Sequence, residues 1–160
     1  MSHICCQRTD FIIRDAVASD ARSLLAMMRQ LAKFENYIQE FSITEADLIT
    51  CGLETTSPQF DALVAEGNNK ELLGYAVVYP VNFTYDLRPN IHIKEFFVCA
   101  HLRQQGVGKA LMHAVIGYAK QKKAARLKWD VLPSNDAAKL FYKHFSAQPV
   151  KEWEAWTLRL

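Results

Sequence analysis

Apolar residues recur along the chain with two different spacings, and each spacing predicts a type of secondary structure. From position 21 to 34 they fall three and four positions apart, which is the period of one face of an α-helix. Between positions 62 and 99 they form short β-rich runs broken by Gly, Asn and Pro, which indicates strands joined by turns. The two spacings together predict an α/β fold.

The predicted elements follow one another in the order β-α-α-β-β-β-α-β-α-β. The predicted strands are 11–14, 62–66, 72–79, 91–99, 126–132 and 153–160. The predicted helices start after Asp20, which is expected to cap the first, after Thr44, at Gly106 and at Asp136. Antiparallel strands followed by a β-α-β crossover predict one domain, residues 1–160, in which helices flank a mixed, mostly antiparallel sheet.

Composition narrows the class of protein. The chain has 160 residues, of which 50% are hydrophobic and 22% are charged, as in soluble single domains. The net charge of +2 gives no case for nucleic acid or an acidic membrane surface as partner. No apolar run reaches the roughly 18 residues that span a bilayer.

The first nine residues lack the basic and apolar blocks of a signal peptide, and we expect them to form a loosely ordered leader. The four cysteines, Cys5, Cys6, Cys51 and Cys99, contain no Cys-x-x-Cys pair. This usage favours a reducing, cytoplasmic location over a disulfide framework. The five histidines lack metal-ligand spacing, so we expect no metal.

The segment 103–109, Arg-Gln-Gln-Gly-Val-Gly-Lys, lies between a predicted strand and a predicted helix. Gly106 and Gly108 allow a tight turn and a close approach of main-chain amides to a ligand. The first turn of the helix leaves further amides unpaired at its positive end, so the segment is suited to a diphosphate. The alternative is a β-to-α turn with no ligand. The segment lies at the carboxyl end of a sheet strand, and this position favours the ligand site over the empty turn.

The pattern Arg103-x-x-Gly106-x-Gly108 resembles the acetyl-CoA signature of the GCN5-related N-acetyltransferases (GNAT). Within that superfamily the chain is most similar to the spermidine/spermine (diamine) N-acetyltransferases. The further segments that carry the resemblance are 11–16, 31–35, 63–66, 96–98 and 141–143, together with Asn135. The resemblance implies an acetyl-CoA-dependent enzyme that acetylates a primary amine of a small molecule, a diamine, polyamine or amino-acid-like amine, by direct attack in a ternary complex. It also implies a homodimer.

The resemblance also implies roles for individual residues. Phe96, Phe97 and Val98 would line the pantetheine arm, mainly through backbone groups. The diphosphate would be held by backbone amides of Gln104, Gln105, Gly106, Val107, Gly108 and Lys109. Arg103, the first residue of the signature, would also belong to the cofactor site. Asn135 would face the cofactor. Tyr142 would lie beside its sulfur and protonate the departing thiolate, since a phenol stays protonated at neutral pH. The alternative for Tyr142 is an aromatic residue whose hydroxyl reaches solvent.

The general base is less clear from the sequence. Where the diamine subfamily has a Glu, this chain has Lys94, and Glu95 follows it. Adjacent residues of a regular strand face opposite sides, so Glu95 replaces its neighbour only if a β-bulge re-aims it. Glu35, or water that relays the proton to bulk, is the alternative base. A salt bridge or packing role is the alternative for Glu95.

The resemblance places Phe34, Glu35 and Lys94 on the acceptor side. A polyamine is best held by carboxylates. The candidates are Glu35, Glu40, Glu66, Asp86 and Glu95, although such residues are more often solvated surface acids. Lys94 would repel a polycation and tolerate an acceptor that carries its own carboxylate.

The densest basic cluster comprises Lys120, Lys122, Lys123, Arg126 and Lys128. The favoured interpretation is a solvated helix end whose charges complement the helix dipole. The alternatives are contact with the 3′-phosphate of CoA and weak RNA binding. Two other functions therefore stay open: a non-catalytic acyl-CoA-binding module, and an RNA- or ribosome-associated binder.

Overall fold

The computed structural model describes residues 10–160, and the predicted leader with Cys5 and Cys6 lies outside them. The chain divides into two compact units, one ending at Trp129 and the other comprising Asp130–Leu160. The strands are β1 (Phe11–Asp15), β2 (Asp61–Gly67), β3 (Leu72–Val81), β4 (Asn90–Val98) and β5 (Arg126–Lys128). The helices are α1 (Ala21–Phe34), α2 (Glu45–Leu48), α3 (Val107–Gln121) and α4 (Asp136–Lys143).

The first unit contains a five-stranded sheet in the order β1-β2-β3-β4-β5. The first four strands pair antiparallel and β5 pairs parallel to β4, so the predicted mixed, mostly antiparallel sheet is confirmed. The parallel pairing follows from α3, which forms the crossover between β4 and β5.

Both sheet faces contribute to a buried core. The apolar face of α1 packs on strand residues of one face, including Val64, Tyr75, Val77 and Phe97. Val107, at the start of α3, is fully buried and packs with Ala65 and Leu73. Helix α1 and the start of α3 are therefore each fixed by packing on the sheet.

The start of α1 differs in one detail from the sequence prediction. Asp20 lies at the N-cap position, but its side chain does not cap the helix. Its carboxylate instead accepts two hydrogen bonds from the Arg14 guanidinium, at 2.7 and 2.9 Å, and one from the Val17 amide at 2.8 Å. A charged guanidinium with two parallel donors outcompetes a helix amide for this carboxylate. The predicted capping box at Thr44 and Asp47 is present.

Strand β3 continues through Pro80 to Val81, whereas the sequence predicted that it would stop at Pro80. The pairing of β3 with β2 ends at Asp61 and Val78, so Pro80 lies on a stretch that pairs with β4 alone. Proline is tolerated on such an edge stretch, where only one side of the strand is paired.

The predicted final strand, 153–160, is wrong for this structure. None of the described strand pairings includes these residues, and Trp153, Trp156, Leu158 and Leu160 are all exposed. An alternating apolar pattern forms a strand only when a partner strand supplies its hydrogen bonds, and the described chain supplies none here. No helix within residues 10–160 is long and apolar enough to cross a membrane.

Candidate active site

The turn between β4 and α3 contains two residues with left-handed backbone conformations. Gln104 has φ = 62° and Gly106, the N-cap of α3, has φ = 89°. A Cβ at Gly106 would have nothing within 4 Å, so the glycine is required by its backbone angle and not by a lack of space. The chain thus turns sharply and the start of α3 is left open.

The turn is held in this shape by its own side chains. Arg103 Nε donates to the Val98 carbonyl at 3.2 Å, and Gln105 Nε2 donates to the His101 carbonyl at 2.9 Å. The first intrahelical bond is from the Ala110 amide to the Gly106 carbonyl, so the amides of the first turn have no partner within the helix. These two side chains therefore position the turn, and its main chain is the part suited to an anion.

A depression of about 480 Å³ borders the first turns of α3. Its lining is Asp10, Phe11, Gln105, Gly106, Lys109, Ala110 and His113. Lys109 supplies a cation there, so the predicted diphosphate residues Gln105, Gly106 and Lys109 lie along one cavity wall.

The three predicted pantetheine residues lie at the end of β4. Phe97 is buried and its ring lies 5.9 Å from that of Tyr75, whereas Phe96 and Val98 are half-buried. The ladder between β4 and β5 spans three residue pairs and ends at His92 and Lys128, well before β4 itself ends. The sheet therefore splits beside the last part of β4.

A β-bulge interrupts β4 before these residues. Val77 of β3 lies opposite Glu95, but Val78 lies opposite Ile93, so Lys94 is an extra residue. Because Val77 and Val78 point to opposite faces, Glu95 and Ile93 also lie on opposite faces although they are two positions apart. Val77 belongs to the core that packs on α1, so the bulge directs Glu95 to the α1 face.

Two tyrosine hydroxyls hold the Glu95 carboxylate. Tyr75 donates to Oε2 at 2.9 Å and Tyr37 donates to Oε1 at 3.3 Å. Burial raises the pKa of the Glu95 carboxyl above its ordinary value, while the two hydrogen bonds and the positive charge of Lys94 act to lower it. Burial, with the charge of Glu95, raises the pKa of both tyrosines, which therefore remain proton donors.

The C-terminus of α1 brings two of these groups to the bulge. Asn36 adopts a left-handed conformation with φ = 63°, the Tyr37 amide bonds to the Ala32 carbonyl at 2.9 Å, and the Asn36 amide bonds to that of Lys33 at 3.3 Å. This is a Schellman motif, and it turns the chain back so that Tyr37 reaches Glu95. Glu35, the C-cap residue, is half-buried beside them.

We call Glu35, Tyr37, Tyr75, Lys94 and Glu95 the bulge cluster. Burial raises the pKa of the Glu35 carboxyl, and the charge of Lys94 opposes this effect. Glu35 in turn contributes to the raised pKa of Glu95. Two predicted acceptor residues, Glu35 and Lys94, thus lie within electrostatic reach of the candidate base. Phe34, the third, is about half exposed at the end of α1.

Asn135 and Tyr142 lie in the second unit, at opposite ends of α4. Asn135 is the N-cap residue, and its Oδ1 accepts from the Ala138 amide at 3.1 Å. Tyr142 is half-buried, and the ring of Phe141 packs edge-on against it at 5.3 Å. The Asn135 side-chain oxygen thus caps the helix, and its amide nitrogen can still act as a hydrogen-bond donor.

Two acidic residues that were candidates for the acceptor have structural roles. Glu66 is buried and accepts from Arg14 and Lys70, which lower the pKa of its carboxyl. Asp86 accepts from the Thr84 hydroxyl and the Arg88 amide within a turn. Both carboxylates are already satisfied by the protein.

Cys99 and the basic cluster also have local structural explanations. The Cys99 thiol is half-buried near Met27 Sδ, and burial raises its pKa, which disfavours a reactive thiolate.

In the basic cluster, Lys122 lies over the Tyr118 ring at 5.4 Å and Arg126 donates to the Tyr85 hydroxyl at 2.6 Å. No group of three metal-ligating side chains occurs among the described residues.

Sequence reasoning missed Tyr37 and Tyr75 as members of the site. Tyr75 lies in an apolar strand pattern and is fully buried, so its sequence context suggests core packing alone. Tyr37 follows a helix end with no distinctive motif. Only Asn36, which tolerates a left-handed conformation, signals that the chain turns back at this point.

Comparisons with known proteins concern the family and the fold of the chain. The model of the acetyltransferase (GNAT) family matches residues 25–146. The thialysine N-epsilon-acetyltransferase of Mus musculus is 30% identical over 151 residues, which are 90% of this chain and 88% of the relative. The Homo sapiens spermidine/spermine N(1)-acetyltransferase-like protein 1 is 27% identical over 92% of this chain and 22% of its own length.

Among solved structures, an aminoglycoside acetyltransferase from an uncultured soil metagenomic sample has a similar fold. Its TM-score is 0.74 at 20% identity, and the match covers 93% of this chain and 97% of that one. The fold is therefore shared well beyond recognisable sequence similarity. With the family match over most of the chain, these findings establish that the protein belongs to the acetyltransferase (GNAT) family and is an N-acetyltransferase.

Proposed function

We propose that the protein transfers the acetyl group of acetyl-CoA directly to a primary amine of a small molecule, with Glu95 as the general base. The observation that carries this proposal is the bulge in β4, which places a half-buried carboxylate of raised pKa on the α1 face. A base needs a pKa closer to neutrality than an exposed carboxylate has, and burial supplies that shift.

The main chain around Gly106 fits the cosubstrate. Residues 104–109 offer amides at the positive end of α3 to the diphosphate, with the Lys109 cation beside them. The end of β4, with Phe96, Phe97 and Val98, extends beyond its ladder with β5, so the pantetheine amides pair with it as an added strand would. Asn135 is assigned to the cofactor by its match to the family pattern, with its amide nitrogen as the donor.

Glu95 and Tyr142 account for the protons of the reaction. Glu95 takes a proton from the incoming ammonium, and the neutral nitrogen attacks the thioester carbonyl. The new C–N bond forms as the C–S bond breaks. Tyr142 donates its proton to the departing thiolate and regains one as the amide nitrogen loses its second proton. Glu95 releases the first proton to solvent, so one proton is set free for each acetyl group transferred. The assignment of Tyr142 rests on the match of Asn135 and 141–143 to the family pattern.

Phe34, Glu35 and Lys94 are proposed to line the acceptor side. One relative is named a thialysine N-epsilon-acetyltransferase and another a spermidine/spermine N(1)-acetyltransferase-like protein, so small amines are the favoured acceptor class. Among the acidic candidates, Glu35 acts electrostatically on Glu95. We propose that it orients the acceptor, while Glu95 removes the proton.

The direct test is a panel of polyamines, lysine analogues and aminoalkyl acids incubated with acetyl-CoA, in which release of free CoA thiol is measured. We expect thiol release that depends on an amine and yields an N-acetyl product. Binding of acetyl-CoA without transfer to any amine would instead support a non-catalytic acyl-CoA-binding module.

Tyr142→Phe separates the acid from cofactor binding. Loss of the phenol proton is expected to lower kcat by about 100-fold, because acid–base groups contribute 10²–10⁴-fold, while the Kd for acetyl-CoA stays within about twofold. Unchanged turnover in the variant would remove the acid role from Tyr142.

The protein is further proposed to act in the cytoplasm as a homodimer. The exposed residues Trp153, Trp156, Leu158 and Leu160 support a contact with a second copy, since an apolar stretch of this kind is seldom left in water. Light scattering of the purified protein is expected to give twice the chain mass of 18.3 kDa. A monomer at micromolar concentration would reject the dimer.

A further inference from the structure

Lys94 is the exposed charged residue of the bulge cluster. It is exposed, it is the extra residue of the bulge, and it forms no ion pair within residues 10–160. A lysine on an ordinary strand position would be an unremarkable surface group. Here Lys94 adjoins Glu95 and lies opposite the junction of Val77 and Val78 on β3.

Both carboxylates of the bulge cluster respond to this charge. Lys94 acts to lower the pKa of Glu35 on the C-terminus of α1 and that of Glu95 on β4. The remaining groups of the cluster, Tyr37 and Tyr75, are neutral donors that hydrogen-bond to Glu95. The cluster therefore presents two anions and one cation, and the cation alone is exposed.

On the proposed function, an acceptor brings its reacting amine to the half-buried Glu95. The part of the acceptor that stays nearer the solvent then meets Lys94, the exposed charge of the cluster. A diamine or polyamine would place a second ammonium in the field of Lys94, and like charges repel there. An acceptor with a carboxylate would gain an attraction of similar size. We propose that Lys94 is a specificity-determining residue, which selects primary amines that also carry a carboxylate and disfavours diamines and polyamines.

Lysine and 1,5-diaminopentane form a matched pair of acceptors for the test, because they share the reacting amine and chain length and differ by one carboxylate. The measured quantity is the ratio of their kcat/KM values. We expect the unmodified enzyme to prefer lysine, and Lys94→Gln to reduce this preference about tenfold. Lys94→Glu should shift the ratio further, by about 100-fold in total, chiefly through KM.

Arg29→Glu is the control, since it makes the same change of net charge on the exposed side of α1. It should leave the ratio unchanged, as should raising the salt concentration in the Lys94→Gln variant. Equal ratios for the unmodified enzyme and Lys94→Glu would overturn the inference. If the unmodified enzyme acetylates no amine at all, the proposed function fails instead, so the two failures are distinguishable.

Discussion

At the scale of single residues, Glu95 is defined by what surrounds it. Burial pushes its pKa up, and two tyrosine donors restrain that rise. Because a base must be ionised to accept a proton, kcat/KM should rise with pH through the raised pKa of Glu95. The balance between burial and hydrogen bonding therefore sets the acid limb of the pH profile.

Replacing Glu95 tests its role as base. Glu95→Gln keeps the shape of the side chain and one of its two acceptor oxygens but cannot take a proton. We expect kcat to fall by about 100-fold or more, with the Kd for acetyl-CoA preserved. Glu95→Asp should recover part of the activity. A glutamine variant with normal turnover would return the role to Glu35 or to water.

Tyr75→Phe should move the pH profile without removing the base. The Tyr75 hydroxyl bonds to the ionised form of Glu95, and this bond lowers the pKa of the carboxyl. Its loss raises that pKa further, so the acid limb should shift to higher pH while the plateau stays similar. The profile of kcat/KM against pH measures the shift, and movement toward lower pH would contradict this account.

At the scale of elements, the periodic parts of the chain were predictable and the irregular parts were not. The predicted extent of α1 and the predicted start of α3 agree with the structure to within a residue, because one apolar face specifies a helix from local sequence. The bulge in β4 depends on how two strands align across the sheet, and Ile93, Lys94 and Glu95 carry no local signal of it. The sequence could only state that a bulge would be needed.

The turn before α3 is the second irregular element, and Gly106 tests it. Gly106→Val is expected to weaken acetyl-CoA binding about tenfold, because a β-branched residue with φ near 89° costs about 1–3 kcal/mol and distorts the amides. Gly106→Asn should be milder, since Asn tolerates left-handed conformations. Isothermal titration of acetyl-CoA measures the effect.

Gly117→Ala is the matched control for that experiment. Gly117 lies inside α3, and a Cβ there also has nothing within 4 Å, but its backbone is helical. The variant should gain up to about 1 kcal/mol of unfolding free energy and bind acetyl-CoA normally. If Gly106→Val binds as well as this control does, the turn does not hold the diphosphate.

At the scale of the whole molecule, an ion network joins the first elements of the sheet. Arg14 on β1 bonds to Asp20 before α1 and to Glu66 on β2, and both carboxylates are buried. Arg14 is the main cause of the lowered pKa of Asp20, whereas Lys70 and then Arg14 lower that of Glu66. The network therefore couples the stability of this unit to pH.

The sign of that coupling follows from the lowered pKa values. The ordinary values are 3.8 for Asp20 and 4.5 for Glu66, so the stabilisation is complete above about pH 5 and is lost as the pH falls through the lower folded values. Arg14→Met should reduce the unfolding free energy at pH 7 by about 2 kcal/mol and flatten its dependence on pH below 5. Urea titrations from pH 3 to 7 measure both effects.

Lys70→Gln provides the comparison for the network. The Lys70 side chain is 82% exposed, so its loss should cost less than about 1 kcal/mol. If Arg14→Met and Lys70→Gln lost equal amounts of unfolding free energy, the buried part of the network would contribute little to stability.

The order of elements was predictable for the whole molecule except at its end. The predicted strand 153–160 follows an alternating apolar pattern, but strand formation needs a partner, and no sequence pattern specifies whether one is available. The same limit applies to the candidate site, where the sequence named Glu35, Lys94 and Glu95 but not the two tyrosines that donate hydrogen bonds to Glu95.

One measurement tests the central claim most directly: the acetylation of lysine and 1,5-diaminopentane by the unmodified enzyme and by Glu95→Gln, followed by mass spectrometry of the product and by thiol release. We predict one N-acetyl product per CoA released by the unmodified enzyme, and a rate at least about 100-fold lower for Glu95→Gln at unchanged acetyl-CoA affinity. Equal rates for the two proteins, or acetyl-CoA binding with no acetylated amine, would contradict the account.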